Sequence, residues 1–200
     1  MLTYRGTNNS VTGKEDWLTN LGQGSGFETE QYTQAMRLAV LTEDVAGDDF
    51  VIVGHSLGGG LASSGVAVTG QKGYTFNSAG LHPNTAGRLE GLSLADTGKL
   101  ITSQAVNGEV LTMAQSLGVK ALLTGAAVAV GGPVAGFVAA AGLAAFSALP
   151  TAAGEMRSLP SVNGGNPVTR HGMDQVIDGI EAQKSEDIKT ITDYSRTYNG

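Results

Sequence analysis

Three kinds of residue in this chain could together do acyl chemistry: one serine on a glycine-flanked turn, three histidines and a handful of carboxylates. Gly54-His55-Ser56-Leu57-Gly58 has the Gly-x-Ser-x-Gly spacing. A serine hydroxyl attacks a carbonyl only when a base takes its proton and a third group orients that base. His55 adjoins Ser56 on a turn where neighbouring side chains diverge, so it is expected to point elsewhere. His82, in Leu81-His82-Pro83-Asn84, fits a solvated loop residue. His171 comes last, after a polar loop and just before a helix, which satisfies the order serine, acid, histidine. His171 is the expected base, and a histidine merely capping its helix is the competing reading.

The acid should lie between Ser56 and His171, where Glu90, Asp96, Glu109 and Glu155 are the candidates. Glu90 falls in a helical stretch, and Glu155 borders a long uncharged segment. Catalytic side chains of open α/β sheets gather beyond the carboxyl ends of strands. Glu109 follows the strand-like run Leu100–Val106 after the turn Asn107-Gly108, whereas Asp96 precedes it. Glu109 is preferred and Asp96 remains the competitor.

The five-residue pattern is weak by itself in a chain with 30 glycines, so the elements around it must carry the weight. Phe50-Val51-Ile52-Val53 is a β-branched run without polar alternation, the mark of a strand covered on both faces. Gly54 to Gly60 turns the chain, and Leu61 to Val68 reads as a helix of small residues. A strand, a sharp turn and a helix would expose the serine oxygen above a sheet, with helix-opening amides near a developing oxyanion. The Leu57 N–H is the first expected oxyanion donor. The second should come from the early loop Arg5-Gly6-Thr7, where Thr7 offers an amide and a hydroxyl. A phosphate-binding loop is disfavoured, because Gly60 is followed by Leu61-Ala62 rather than Lys and Ser or Thr.

Elsewhere Leu2–Tyr4 and Gly73–Asn77 read as strands. Asp16-Trp17-Leu18 reads as a helical turn. Tyr32, Ala35, Met36, Ala39 and Val40 have helical spacing in a segment opened by Glu28 and Glu30 and stopped by Gly47-Asp48-Asp49. Met173, Val176, Ile177 and Ile180 mark a last amphipathic helix, and Asp178–Lys189 reads as its mixed-charge solvated face. Strands alternating with helices predict an α/β fold, a mostly parallel central sheet flanked by helices, in a single domain over residues 1–200.

Composition sets the outer limits. A net charge of −6 with 12 basic residues and no basic run argues against nucleic acid as a partner. The absence of cysteine excludes disulfides, thiolate metal sites and a cysteine nucleophile. No metal or cofactor is expected. Met1-Leu2-Thr3-Tyr4-Arg5-Gly6 lacks the basic start and apolar core of a secretory signal. It opens inside what should be a strand, as the catalytic part of a longer protein would.

Taken jointly, Tyr4-Arg5-Gly6-Thr7, Asp16-Trp17-Leu18, Val53–Gly60 and Thr75-Phe76-Asn77-Ser78-Ala79-Gly80 resemble the lipase class 3 family, a branch of the α/β-hydrolases. These blocks cover roughly residues 2–82. The resemblance implies an oxyanion donor at Thr7 and an acid in Val106–Leu111, where this chain has Glu109 and the family usually has Asp. His171-Gly172-Met173-Asp174 resembles the histidine block of bacterial members. More narrowly, the chain is similar to phospholipase domains of antibacterial effectors. That implies a glycerophospholipid substrate at a membrane interface, a cognate immunity protein, and secretion or delivery into target cells at the periplasm or membrane surface.

Residues 121–154 carry no charge. Gly131-Gly132-Pro133 splits the apolar part into pieces of about 10 and 16 residues, each shorter than the ~20 residues of a bilayer span. A packed helical hairpin is the plain reading, and a cap beside the site is another. The expected activity is hydrolysis of lipid carboxylic esters, most specifically as a phospholipase A. A soluble esterase or thioesterase is the alternative enzyme, and a non-catalytic membrane-interaction or pore-forming module using 121–154 is the alternative of another class.

Overall fold

The structure, a computed structural model, describes residues 1–6, 30–116 and 150–198. Its centre is a parallel sheet of strands β1 (Leu2–Tyr4), β2 (Val51–His55), β3 (Lys72–Phe76), β4 (Ile101–Val106) and β5 (Glu155–Leu159), adjacent in that order. Parallel neighbours require crossovers, which helices supply. Helix α1 (Glu30–Ala46) lies between β1 and β2 in sequence, and α2 (Leu57–Thr69) between β2 and β3. The short helices α3 (Pro83–Ala86) and α4 (Leu94–Lys99) lead to β4, and α5 (Val110–Gln115) follows it. After β5 come α6 (Pro167–Arg170) and the long α7 (Met173–Tyr198).

Two clusters place the helices on opposite faces. Helices α1 and α2 bury Tyr32, Ala35, Ala39, Ala62 and Val66 with Tyr4, Ile52 and Ile101 of the sheet. Helix α7 sets Val176 and Ile180 against Phe76, Val106 and Leu159. Ile101 and Val106 are an odd number of residues apart on β4 and so point to opposite sides. The result is a three-layer α/β arrangement, as the alternation of the sequence predicts.

Several expectations need correction in detail. Gly58, Gly59 and Gly60 belong to α2 rather than to the turn, so the helix starts directly after Ser56. On β2, Ile52 and Gly54 are buried but Val51 and Val53 are half-buried, so the two faces are not covered alike. Val40 and Ile177 have the spacing of core residues yet are exposed, so both helix stripes are narrower than their apolar content suggests. Strand β5 is missing from the sequence reading. As an edge strand with only Leu159 buried, Glu-Met-Arg-Ser-Leu carries neither an apolar run nor alternation.

The segment Asp16-Trp17-Leu18 and residues 121–149 of the uncharged stretch lie outside the described residues. The end of that stretch is well anchored: Ala153 is in the α1/α2 core, and the Leu81 amide donates to the Thr151 carbonyl at 3.4 Å. Among the described residues, no helix is long and apolar enough to cross a membrane.

Candidate active site

Ser56 sits where β2 passes into α2, and its backbone is strained, with φ 60° and ψ −129°. A non-glycine residue at positive φ costs on the order of 1–3 kcal/mol and persists only where its surroundings impose it. Here the Ser56 amide donates to the Phe76 carbonyl at 3.1 Å, and the Ser56 carbonyl accepts from Gly59 and Ala79, both at 2.9 Å. The flanking glycines allow the close approach. A Cβ on Gly54 would stand 2.0 Å from the Gly58 carbonyl oxygen, and one on Gly58 would stand 2.2 Å from that of Tyr4. The Ser56 side chain makes no capping bond to the helix behind it. It is committed elsewhere.

That commitment is to His171. The Ser56 hydroxyl and His171 Nε2 are 2.8 Å apart, and His171 Nδ1 lies 2.6 Å from Glu109 Oε2. Ser56 and His171 are each 4% exposed and Glu109 is wholly buried, so bulk water does not compete for these bonds. With Nδ1–H donating to the carboxylate, Nε2 is left as the acceptor for the serine proton.

Glu109 reaches this position as the N-cap of α5, where its carboxylate also accepts from the amides of Leu111, at 2.8 Å, and Thr112. Burial pushes the carboxyl's pKa up, but the hydrogen bond and charge of His171, with Thr112, outweigh it and hold the group below the usual range. Asp96, the competing acid, is exposed on α4 before β4 and pairs with Lys99 at 2.7 Å and with Ser93. His82 caps α3, its Nδ1 accepting from the Asn84 amide at 3.1 Å.

Two residues of the site escaped the sequence reading. His55 does not point away: its ring lies 5.1 Å from that of His171, and its Nε2 donates to the His171 carbonyl at 2.8 Å. Burial first, then the neighbouring His171, lowers the His55 pKa to about 4. Asn77, buried at the end of β3 with φ 43°, donates from Nδ2 to the same carbonyl at 3.1 Å. The one signal for Asn77 was its position, a polar residue directly after a strand, as Ser56 is.

Leu57 opens α2, and the first amides of a helix lack intrahelical acceptors. Thr7 lies outside the described residues, although Gly6 backs onto the serine: a Cβ there would meet the His55 carbonyl at 2.7 Å and Ser56 Cβ at 3.1 Å. A groove of about 380 Å³ runs beside Leu57, between Tyr4-Arg5-Gly6 and the apolar side chains Leu38 and Leu61. A larger cavity of about 720 Å³ opens at the other ends of the strands, around Lys72, Ile101 and Glu155, and contains none of the three residues above. Among the described residues, no cluster of histidine and carboxylate side chains is arranged to hold a metal ion.

A stretch of 89 residues, 44% of the chain, is 43% identical to an extracellular phospholipase A1 of Serratia liquefaciens. It spans 27% of that protein's length, so most of the relative has no counterpart in the match. Residues 1–164 match the model of the Tle-like phospholipase domain. That match contains Ser56 and Glu109 and stops before His171. With over four-fifths of its length matched, the chain belongs to the Tle-like phospholipase domain family.

Proposed function

We propose that the chain is a serine phospholipase A, with Ser56 as nucleophile, His171 as general base and acid, and Glu109 as the acid that orients it. The observation that carries this reading is the continuous buried line from Ser56 through His171 to Glu109, at 2.8 and 2.6 Å. As the Ser56 oxygen attacks the ester carbonyl, its proton passes to His171 Nε2. The Glu109 carboxylate stabilises the imidazolium. The amide of Leu57, together with Thr7, would meet the oxyanion of the tetrahedral intermediate. His171 returns its proton to the departing lysolipid alkoxide, then activates water to release the fatty acid from Ser56.

The substrate class follows from family membership and from the relative's name, which also suggests the A1 position. The blocks that resemble lipase class 3 support the assignment of Thr7 and Leu57. A role as an antibacterial effector, with a cognate immunity protein as partner and delivery outside the producing cell, is the narrower form of the proposal. It is supported by the same family and by an extracellular relative.

The test is incubation with mixed phospholipids and neutral glycerides, with lysolipid and fatty acid read by mass. Phospholipids should be cleaved in preference to glycerides, and Ser56→Ala should abolish the release. Preference for small soluble esters would favour the esterase alternative. Equal dye release from liposomes by the native chain and by Ser56→Ala, without hydrolysis, would establish a membrane module instead.

A further inference from the structure

The two side-chain bonds of His171 orient its ring but do not hold the backbone that carries it. That backbone is the single residue between the four-residue helix α6 and Gly172, which precedes α7. Its carbonyl receives two donors from the sheet, His55 Nε2 at 2.8 Å and Asn77 Nδ2 at 3.1 Å. Building on the hydrolase reading above, we infer that His55 and Asn77 are positioning residues which clamp the His171 carbonyl and so fix the imidazole between Ser56 and Glu109.

The connectivity of the clamp supports this. His55 is the residue before the nucleophile, so its bond ties the base's backbone to the turn that carries Ser56. Asn77 reaches further. Its Nδ2 also lies 3.3 Å from the Arg170 carbonyl, and its Oδ1 accepts from the Val106 amide at 2.9 Å, three residues before Glu109. One buried amide thus joins the histidine loop to the strand that leads to the acid. Its own amide donates to the Gln104 carbonyl at 2.9 Å, which holds it at a positive φ of 43°.

The chemistry also favours these donors. A cation beside His171 would oppose the imidazolium that forms when Ser56 gives up its proton. Asn77 is neutral, and burial lowers the His55 pKa to about 4, so near pH 7 its ring is neutral with Nε2–H on the carbonyl. The clamp therefore supplies hydrogen bonds without adding charge. Misplacing a catalytic group by about 1 Å can cost on the order of a hundredfold in rate.

The experiment compares kcat, KM and thermal melting of the full chain on phospholipid vesicles for His55→Phe, His55→Gln and Asn77→Asp. His55→Phe keeps a ring and loses the donor, whereas His55→Gln keeps an N–H. Asn77→Asp keeps the acceptor for Val106 and loses the donor. We expect His55→Phe and Asn77→Asp to lower kcat about tenfold to a hundredfold with KM unchanged, and His55→Gln to recover most of the loss. Should either donor-less variant fail to fold, the other decides; Asn77→Asp also sets a carboxylate against the Arg170 and His171 carbonyls, so His55→Phe with its relief by His55→Gln carries the greater weight. A folded donor-less variant with kcat within twofold of the native chain, or a loss that His55→Gln fails to relieve, overturns the clamp. Ser56→Ala run in parallel separates the two claims. If it retains full activity the hydrolase reading itself fails, and if it is inactive while the donor-less variants are not, only the clamp fails.

Discussion

Glu109 Oε2 stands 2.6 Å from His171 Nδ1 while the same carboxylate caps helix α5. A carboxylate bonded both ways should show two separable losses. Glu109→Gln should lower kcat by on the order of 10³–10⁴, since the imidazole loses its partner and its tautomer. It should also cost about 1 kcal/mol of stability from a weakened cap. Asp96→Asn, which breaks an exposed pair with Lys99, should leave kcat within twofold. Steady-state kinetics with urea melts on both variants would check this, and equal losses would reopen the choice of acid.

Stability should fall on mild acidification, and His55 should be a principal cause. Its pKa is about 4 in the fold against 6.5 as the ordinary value, so below pH 6.5 the unfolded chain binds a proton that the folded chain refuses. By linkage the loss begins near pH 6.5 and is complete near pH 4, at most about 3 kcal/mol. The depressed Glu109 carboxylate acts in the same direction at lower pH: its contribution is present above 4.5 and lost as pH falls through its folded value. Urea melts between pH 7.5 and 4.5 should show a shallower slope for His55→Gln than for the native chain. Parallel slopes would remove His55 from the account.

How much of this could be read from the sequence depended on whether a residue's role was local. The elbow around Ser56 was legible because a β-branched run, close-spaced glycines and a helix former are consecutive. The place of Glu109 beside His171 was legible from its side of β4, because chain direction in a parallel sheet dictates which strand ends share an edge. Strand β5 was not, since Glu155–Leu159 owes its conformation to pairing with Thr102–Val106 and not to its own pattern. His55 and Asn77 were not, because their partner is a carbonyl 116 and 94 residues away. A main-chain acceptor leaves no mark in the sequence.

Gly58 should tolerate no side chain. A Cβ there meets the backbone of Tyr4 and Arg5 at 2.2–2.8 Å, and strand backbone cannot swing aside as a flexible side chain does. Gly58→Ala should cost about 1–3 kcal/mol or more and reduce activity further by displacing the Leu57 amide. Gly87→Ala, whose Cβ meets only the Pro83 carbonyl at 3.8 Å, should melt with the native chain.

Gln115 holds the base of the uncharged segment to the nucleophile's neighbourhood. Its Nε2 donates to the Ser78 carbonyl at 3.1 Å and its Oε1 accepts from the Ala152 amide at 3.2 Å. Gln115→Ala should destabilise by about 1–3 kcal/mol, because one buried and one part-buried backbone group lose their partners. Gln34→Ala, which removes an exposed bond to Glu30, should change stability by less than about 0.5 kcal/mol. Denaturant midpoints of the two variants give the comparison.

Covalent trapping is the sharpest check on Ser56 as the proposed nucleophile. The protein is treated with an activated phosphonate ester, and intact mass is followed by peptide mapping. One adduct per chain is expected, on Ser56, formed in step with the loss of phospholipid hydrolysis and strongly slowed in His171→Ala. Hydrolysis that survives complete modification of Ser56, or an inactivating adduct on another residue, would contradict that role.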